Sequence, residues 1–215
     1  MGVILLLTFI LGVLINQFLQ GPIIFSEDFL NKVAANSNQV ILSVLLVLTS
    51  SILALVMAVI LLPIFKQSNY SLAFLYLAFS VISFATYLID NTVILTMLGL
   101  SKEYVAAGAS EAGYFESIGA VFYQARWWTH YMTLLISSLP FFLFYYLFYQ
   151  TKLIPRFVSI WGLLAVLLLL VEVLFSMYGQ SLGMILFLPM GLVQIFLAIW
   201  LIIKGLKSPA RDSVA

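Results

Sequence analysis

Residues Val40 to Phe65 read VILSVLLVLTSSILALVMAVILLPIF, and no position in that run carries a charge. A helix rises about 1.5 Å per residue, so roughly 20 apolar residues cross a hydrocarbon layer of ~30 Å, and this stretch exceeds that length. In lipid every backbone N–H and C=O must find its partner within the protein. A helix achieves this alone, whereas strands achieve it only in a closed barrel with a weaker, alternating pattern. The stretch is therefore expected to be a spanning helix.

Five further runs of the same kind flank it, at about Val3 to Leu19, Ser71 to Ile89, Ala120 to Tyr149, Phe157 to Ser176 and Leu182 to Ile203. Each is close to or above the ~17–25 residues of a membrane span. The expectation is an all-α fold, a polytopic transmembrane helix bundle of about six spanning helices. The connections are too short to enclose a soluble domain, so residues 1–215 are expected to form a single transmembrane domain. Composition agrees: 64% of the residues are hydrophobic and 8% charged, whereas soluble domains carry roughly 25% charged residues. The first run has no basic leader and no small-residue cleavage pattern after it, so it is expected to be kept as a span rather than removed as a signal peptide. Leu6 stands where a myristoylation motif has Ser or Thr. No polar residues precede the run, which leaves open whether further sequence lies ahead of it.

Several function classes are excluded. The formal net charge is +1 and Lys and Arg are nowhere clustered, which argues against nucleic acid as a partner. The chain has no cysteine and one histidine, so disulfides, thiol catalysis, iron–sulfur clusters and Cys-ligated zinc are excluded, and neither a metal nor a cofactor is expected. No GxSxG, HExxH, Walker or Rossmann pattern is present, which argues against an enzyme.

Lys and Arg counts on alternate sides give the orientation. With the N-terminus cytoplasmic, that side holds Lys66, Lys152, Arg156, Lys204, Lys207 and Arg211, six of the nine basic residues. The opposite side holds Lys32, Lys102 and Arg126, diluted by Glu27, Asp28, Glu103, Glu111 and Glu116. Both termini are then cytoplasmic. Two longer connections, residues 20–38 and 101–118, fall on the outer side, and the second reads either as a short interfacial helix or as a mobile loop. Pro140 removes a backbone donor and is expected to kink the fourth span. Gln194 lies near mid-membrane, in position to bond across to another helix. The run FFLFYYLFY, Phe141 to Tyr149, is expected to face lipid and to mark the inner interface with Tyr145, Tyr146 and Tyr149.

Four ionisable residues fall in one layer near the outer face. Counting from the cytoplasmic ends of their helices, Asp90 and His130 lie about 28 Å up, Arg126 one turn beyond His130, and Glu172 about 22 Å up. Arg126 and His130 share a helix face, being four positions apart. A charge at the centre of a span costs about 2.5–3.5 kcal/mol, so Glu172 is expected either to be uncharged or to face a partner such as Arg126. Structural readings stand beside this one. Arg126 next to Trp127 and Trp128 also has the pattern of an interfacial anchor with its guanidinium in water, His130 that of a packing residue, and Asp90 with Asn91 that of a helix end.

The segments KLIPRFVSIWGLLAVLLLL, Lys152 to Leu170, and LPMGLVQIFLAIWLIIKG, Leu188 to Gly205, carry a Pro-Arg turn that opens one helix and an AIWLIIKG ending on the last. In both the chain resembles a bacterial family of multi-pass membrane proteins known as domain of unknown function 4386. The resemblance covers nearly the whole chain. It implies a fold and a bacterial cytoplasmic membrane, and it implies no activity. The fourth helix of such proteins often begins with a histidine, whereas here Arg126 occupies that place and His130 follows a turn later.

The residues support a candidate site of Glu172, Arg126, His130 and Asp90, a charged pocket near the outer leaflet that binds or transports a small-molecule or lipid-like ligand, with membrane lipids as partners around it. A structural or accessory subunit is the alternative, with its helices docked on a partner membrane protein or a second copy. A lipid-modifying enzyme with Glu172 and His130 as acid and base is the third reading.

Overall fold

The computed structural model describes residues 1–108 and 112–206, so Glu111, Lys207 and Arg211 of the charge count lie outside the described residues. Among the described residues every element is helical. Helix α1 runs over Gly2–Ile24 and includes a π-helical stretch at Leu14–Gln20. A short α2, Phe29–Ala35, precedes α3, Ser37–Phe65. Helices α4, Tyr70–Ala107, and α5, Ala112–Thr151, are followed by α6, Arg156–Met177. A 3-10 turn, Met184–Phe187, leads into α7, Leu188–Ile203. Six of these segments, all except α2, are long and apolar enough to cross a membrane. The protein is an all-α, multi-pass membrane protein, as its six apolar runs require.

Local chemistry sets the helix boundaries. The Asn69 side chain accepts the Leu72 N–H at 3.0 Å and caps α4. Pro155 stands immediately before α6 and Pro189 in the first turn of α7, positions where a missing N–H removes no helical bond. The π-helical stretch turns Gln20 inward, where its Nε2 donates to Ser43 Oγ at 3.1 Å.

Helices α4 and α5 have 38 and 40 residues, about 57 and 60 Å of helix against a hydrocarbon layer of ~30 Å. The segment 101–118 is thus neither a separate interfacial helix nor a loop where it is described: Ser101 to Ala107 continues α4, and residues 112–118 begin α5. Hydropathy marks where a helix leaves lipid, and good helix formers such as Ala, Glu and Lys carry it onward in water. Gly108, with φ of 71°, stops α4 in the left-handed conformation that glycine adopts freely. The projecting hairpin is braced by α2, whose Phe29, Leu30 and Val33 are buried with Ile94, Met97 and Leu98 of α4.

The spans form a closed ring. Helix α1 packs on α3, α3 on α4, α4 on α5, α5 on α6, α6 on α7, and α7 back on α1. Two contacts are close enough to demand glycine. A Cβ at Gly2 would lie 2.7 Å from the Ala198 carbonyl of α7, and one at Gly162 of α6 would run into the Tyr145 ring of α5. Side chains rather than a seventh span fill the middle, among them Met57, Tyr76, Phe144, Tyr145 and Val193. The aromatic run accordingly divides by face. Phe144, Tyr145 and Phe148 are buried, so Tyr145 does not mark a lipid interface, whereas Phe142 is exposed and Tyr146 and Tyr149 are half-buried. Helical rotation of about 100° per residue alternates the two sets.

Candidate functional site

Asp90 on α4 and Arg126 on α5 meet at the level where the two helices leave the larger core and enter the projecting hairpin. Arg126 Nη1 donates to Asp90 Oδ1 at 2.9 Å, and Thr129 Oγ1 donates to the same oxygen at 2.6 Å. Arg126 is 1% exposed and Asp90 6%. The flanking tryptophans do not make Arg126 a water-facing anchor, because α4 offers a carboxylate and the connection after α1 offers the Phe25 ring, 5.2 Å from the guanidinium carbon. Such a pair is stable only as a pair: its desolvation is offset by mutual attraction and by the hydrogen bonds around it. Arg126 Nε is buried with no partner among the described residues.

The pair heads a polar seam between α4 and α5. Thr133 Oγ1 donates to the Thr86 carbonyl at 3.3 Å, and Ser83 Oγ and Ser137 Oγ share a hydrogen bond of 2.8 Å. These bonds fix the register of the two long helices. His130 is half-buried on the same face as Arg126, with its ring edge-on to Phe25 at 5.8 Å, and it makes no hydrogen bond among the described residues.

Glu172 is not brought to this group. It is 2% exposed on α6 and is satisfied locally. Ser176 Oγ at 2.9 Å and Ser181 Oγ at 2.6 Å donate to Oε1, and the Leu182 N–H donates to Oε2 at 2.9 Å. The carboxylate thereby ties the α6–α7 connection to its own helix, and three hydrogen-bond donors, not Arg126, are its partners. Tyr178, at the end of α6, is 85% exposed.

Below the ion pair the ring encloses a cavity of about 90 Å³. Every span except α6 lines it. Its polar wall consists of Ser51 on α3, Tyr76, Ser80, Ser83 and Tyr87 on α4, Ser137 and Tyr145 on α5, and Gln194 on α7. Ser51, Ser83 and Ser137 each lie about 20 Å along the helix from the end that carries Lys66, Lys152 and Lys204, which is deep in the bilayer. Pro140 lines the cavity as well. Ala54 lines it and is also exposed on the bilayer side of α3.

Tyr76 is 3% exposed and Tyr145 1%, yet neither hydroxyl has a hydrogen-bond partner among the described residues. A buried tyrosine hydroxyl normally has one. Gln194 is half-buried, and its amide does not bond across to another helix. No charged side chain lines the cavity, and among the described residues no group of three or more His, Asp and Glu could hold a metal ion.

The cavity residues carry a signal that depth counting could have found. Ser51, Ser83 and Ser137 are polar positions inside apolar runs, at similar distances from the same ends of their helices, and Ser80 and Gln194 lie about one turn nearer those ends. Tyr76 and Tyr145 carry no such signal, because their aromatic rings fit a lipid-facing or a core position equally well.

Neither the curated proteins nor the solved structures contain a match to the chain. The family described as domain of unknown function (DUF4386) matches residues 1–205, which takes in all six spans, the projecting hairpin and the cavity. The chain is thus a member of the DUF4386 family of membrane proteins.

Proposed function

We propose that the protein binds a small or lipid-like ligand in the cavity at the centre of its helix ring, as a receptor or carrier in a bacterial cytoplasmic membrane with both termini on the cytoplasmic side. One observation carries this reading: two almost fully buried tyrosines, Tyr76 and Tyr145, line a cavity bordered by five spans, and neither hydroxyl makes a hydrogen bond among the described residues. Phenylalanine at either place would line the same space with no hydroxyl to satisfy. Ala54 supports entry from the bilayer, because it borders both the cavity and the lipid side of α3. Asp90, Arg126 and His130 belong to this reading as the roof of the site, and Glu172 as the clasp of the connection into α7.

Native mass spectrometry of the purified protein beside Ser80→Leu tests it. Ser80 is half-buried and gives its hydrogen to the Tyr76 carbonyl at 2.8 Å, so leucine fills the cavity and breaks no contact between helices. A molecule bound to the wild type at fixed stoichiometry and lost from a folded Ser80→Leu supports the reading. A ligand retained by the variant, or none in either protein, sinks it.

A second reading, an accessory subunit, is favoured by the hairpin beyond the bilayer, which exposes Val105 by 54% and Tyr114 by 66% near its tip. It requires a partner protein to co-purify and to be lost when both positions become serine.

A further inference from the structure

We infer that the cavity takes an uncharged molecule that presents a hydrogen-bond-accepting oxygen, as in a ketone, ester or ether, to Tyr76 and Tyr145. This rests on the cavity being a binding site and goes beyond it to the chemistry of the occupant.

The inference comes from which hydrogens in the wall are already used. Ser51 Oγ donates to the Leu48 carbonyl at 2.9 Å and Ser80 Oγ to the Tyr76 carbonyl at 2.8 Å, so both turn only lone pairs to the cavity. In the bond between Ser83 and Ser137 one hydroxyl hydrogen is consumed, and Tyr87 hydrogen-bonds Ser137 as well. The phenolic hydrogens of Tyr76 and Tyr145 and the amide hydrogens of Gln194 have no acceptor among the described residues. An acceptor oxygen on the occupant satisfies the two phenolic hydrogens, whereas a hydrogen on the occupant would have to turn away from them to the lone pairs of Ser51 and Ser80.

Charge and size narrow the class. No Lys, Arg, Asp, Glu or His lines the cavity, so an ionised ligand would be desolvated with nothing to pair it. The volume of about 90 Å³ equals the share of roughly three water molecules, which suits a small polar head, with any ring or tail reaching out toward Ala54. Tyr76 and Phe144, with ring centroids 6.2 Å apart, line the cavity on its α4–α5 side and favour a flat group against them. A longer tail would leave past Ala54 into the bilayer.

The test uses the full-length protein in nanodiscs and saturation-transfer NMR, with empty nanodiscs subtracted. Acetophenone carries an acceptor and no donor, ethylbenzene keeps the shape without the acceptor, and benzoate adds a charge. Wild type is expected to bind acetophenone at least fivefold tighter than ethylbenzene and to ignore benzoate. Tyr76→Phe and Tyr145→Phe are each expected to weaken acetophenone about fivefold, the value of one hydrogen bond, and to leave ethylbenzene unchanged. Both variants should melt no lower than wild type without ligand, since each loses a hydroxyl that had no partner.

Equal binding of acetophenone and ethylbenzene, with both lost in Ser80→Leu, overturns the acceptor inference and leaves the binding function standing. Benzoate binding at the same site overturns the uncharged class. If neither neutral molecule binds while mass spectrometry finds a ligand that Ser80→Leu loses, the class is wrong and the site is right. With no binding and no co-purified molecule both fall, and the hydroxyls are satisfied by water.

Discussion

Arg126 shows what a buried cation requires of its neighbours. Its guanidinium has one carboxylate, one aromatic face and no water-exposed edge, so removal of the carboxylate alone leaves a charge inside apolar surroundings. Asp90→Leu is expected to lower stability by about 3–5 kcal/mol, and the double variant Asp90→Leu with Arg126→Met to recover most of that loss. Denaturant unfolding in detergent, followed by circular dichroism, measures both. Wild-type stability in the single variant would mean that Arg126 reaches solvent. Part of this was legible in the sequence. Distance along a helix can be counted from its end, and that count put Asp90, Arg126, His130 and Glu172 at similar depth. Direction around the bundle cannot be counted in the same way. Arg126 lies on a helix between α4 and α6 and is turned toward α4, while Glu172 on α6 is occupied by the serines and the backbone N–H that follow it.

Among elements, α5 and α6 show how a close helix contact depends on one hydrogen atom. The Tyr145 ring lies where a side chain on Gly162 would begin, so Gly162→Ala must push the two helices apart or turn the ring out of the core. The expected loss is about 1–3 kcal/mol, as for other overpacked cores. Gly12 of α1 faces open space, and Gly12→Ala is expected to be neutral or to stabilise by up to ~1 kcal/mol through helix propensity. Melting temperatures of the two alanine variants decide this, and a neutral Gly162→Ala would refute the contact. Apolar run length located every span, because crossing lipid is a matter of composition. It stopped short of the ends of α4 and α5, because beyond the bilayer the helix is continued by propensity and by packing against α2, neither of which leaves an apolar run.

For the whole molecule, the arrangement that matters is the ring. Its proposed orientation can be read directly because the chain has no cysteine of its own. A single cysteine at Lys102, exposed on the projecting part of α4, should react with a membrane-impermeant maleimide in intact cells. One at Ser68, exposed between α3 and α4, should react only after the membrane is opened. The reverse pattern would invert the topology.

Ring closure also sets a clock on biogenesis. Gly2 lies on the first of the six spans to be made, and its neighbours Ala198 and Ile202 lie on the sixth. At ~5–20 residues per second, α1 waits on the order of 10–40 s after synthesis before α7 exists to meet it. Until then the nascent chain is an open crescent with one unpaired edge at each side. The cavity, walled by Leu5 on one side and Gln194 on the other, comes into being only when the final span is released, so a chain terminated before α7 has no pocket to fill.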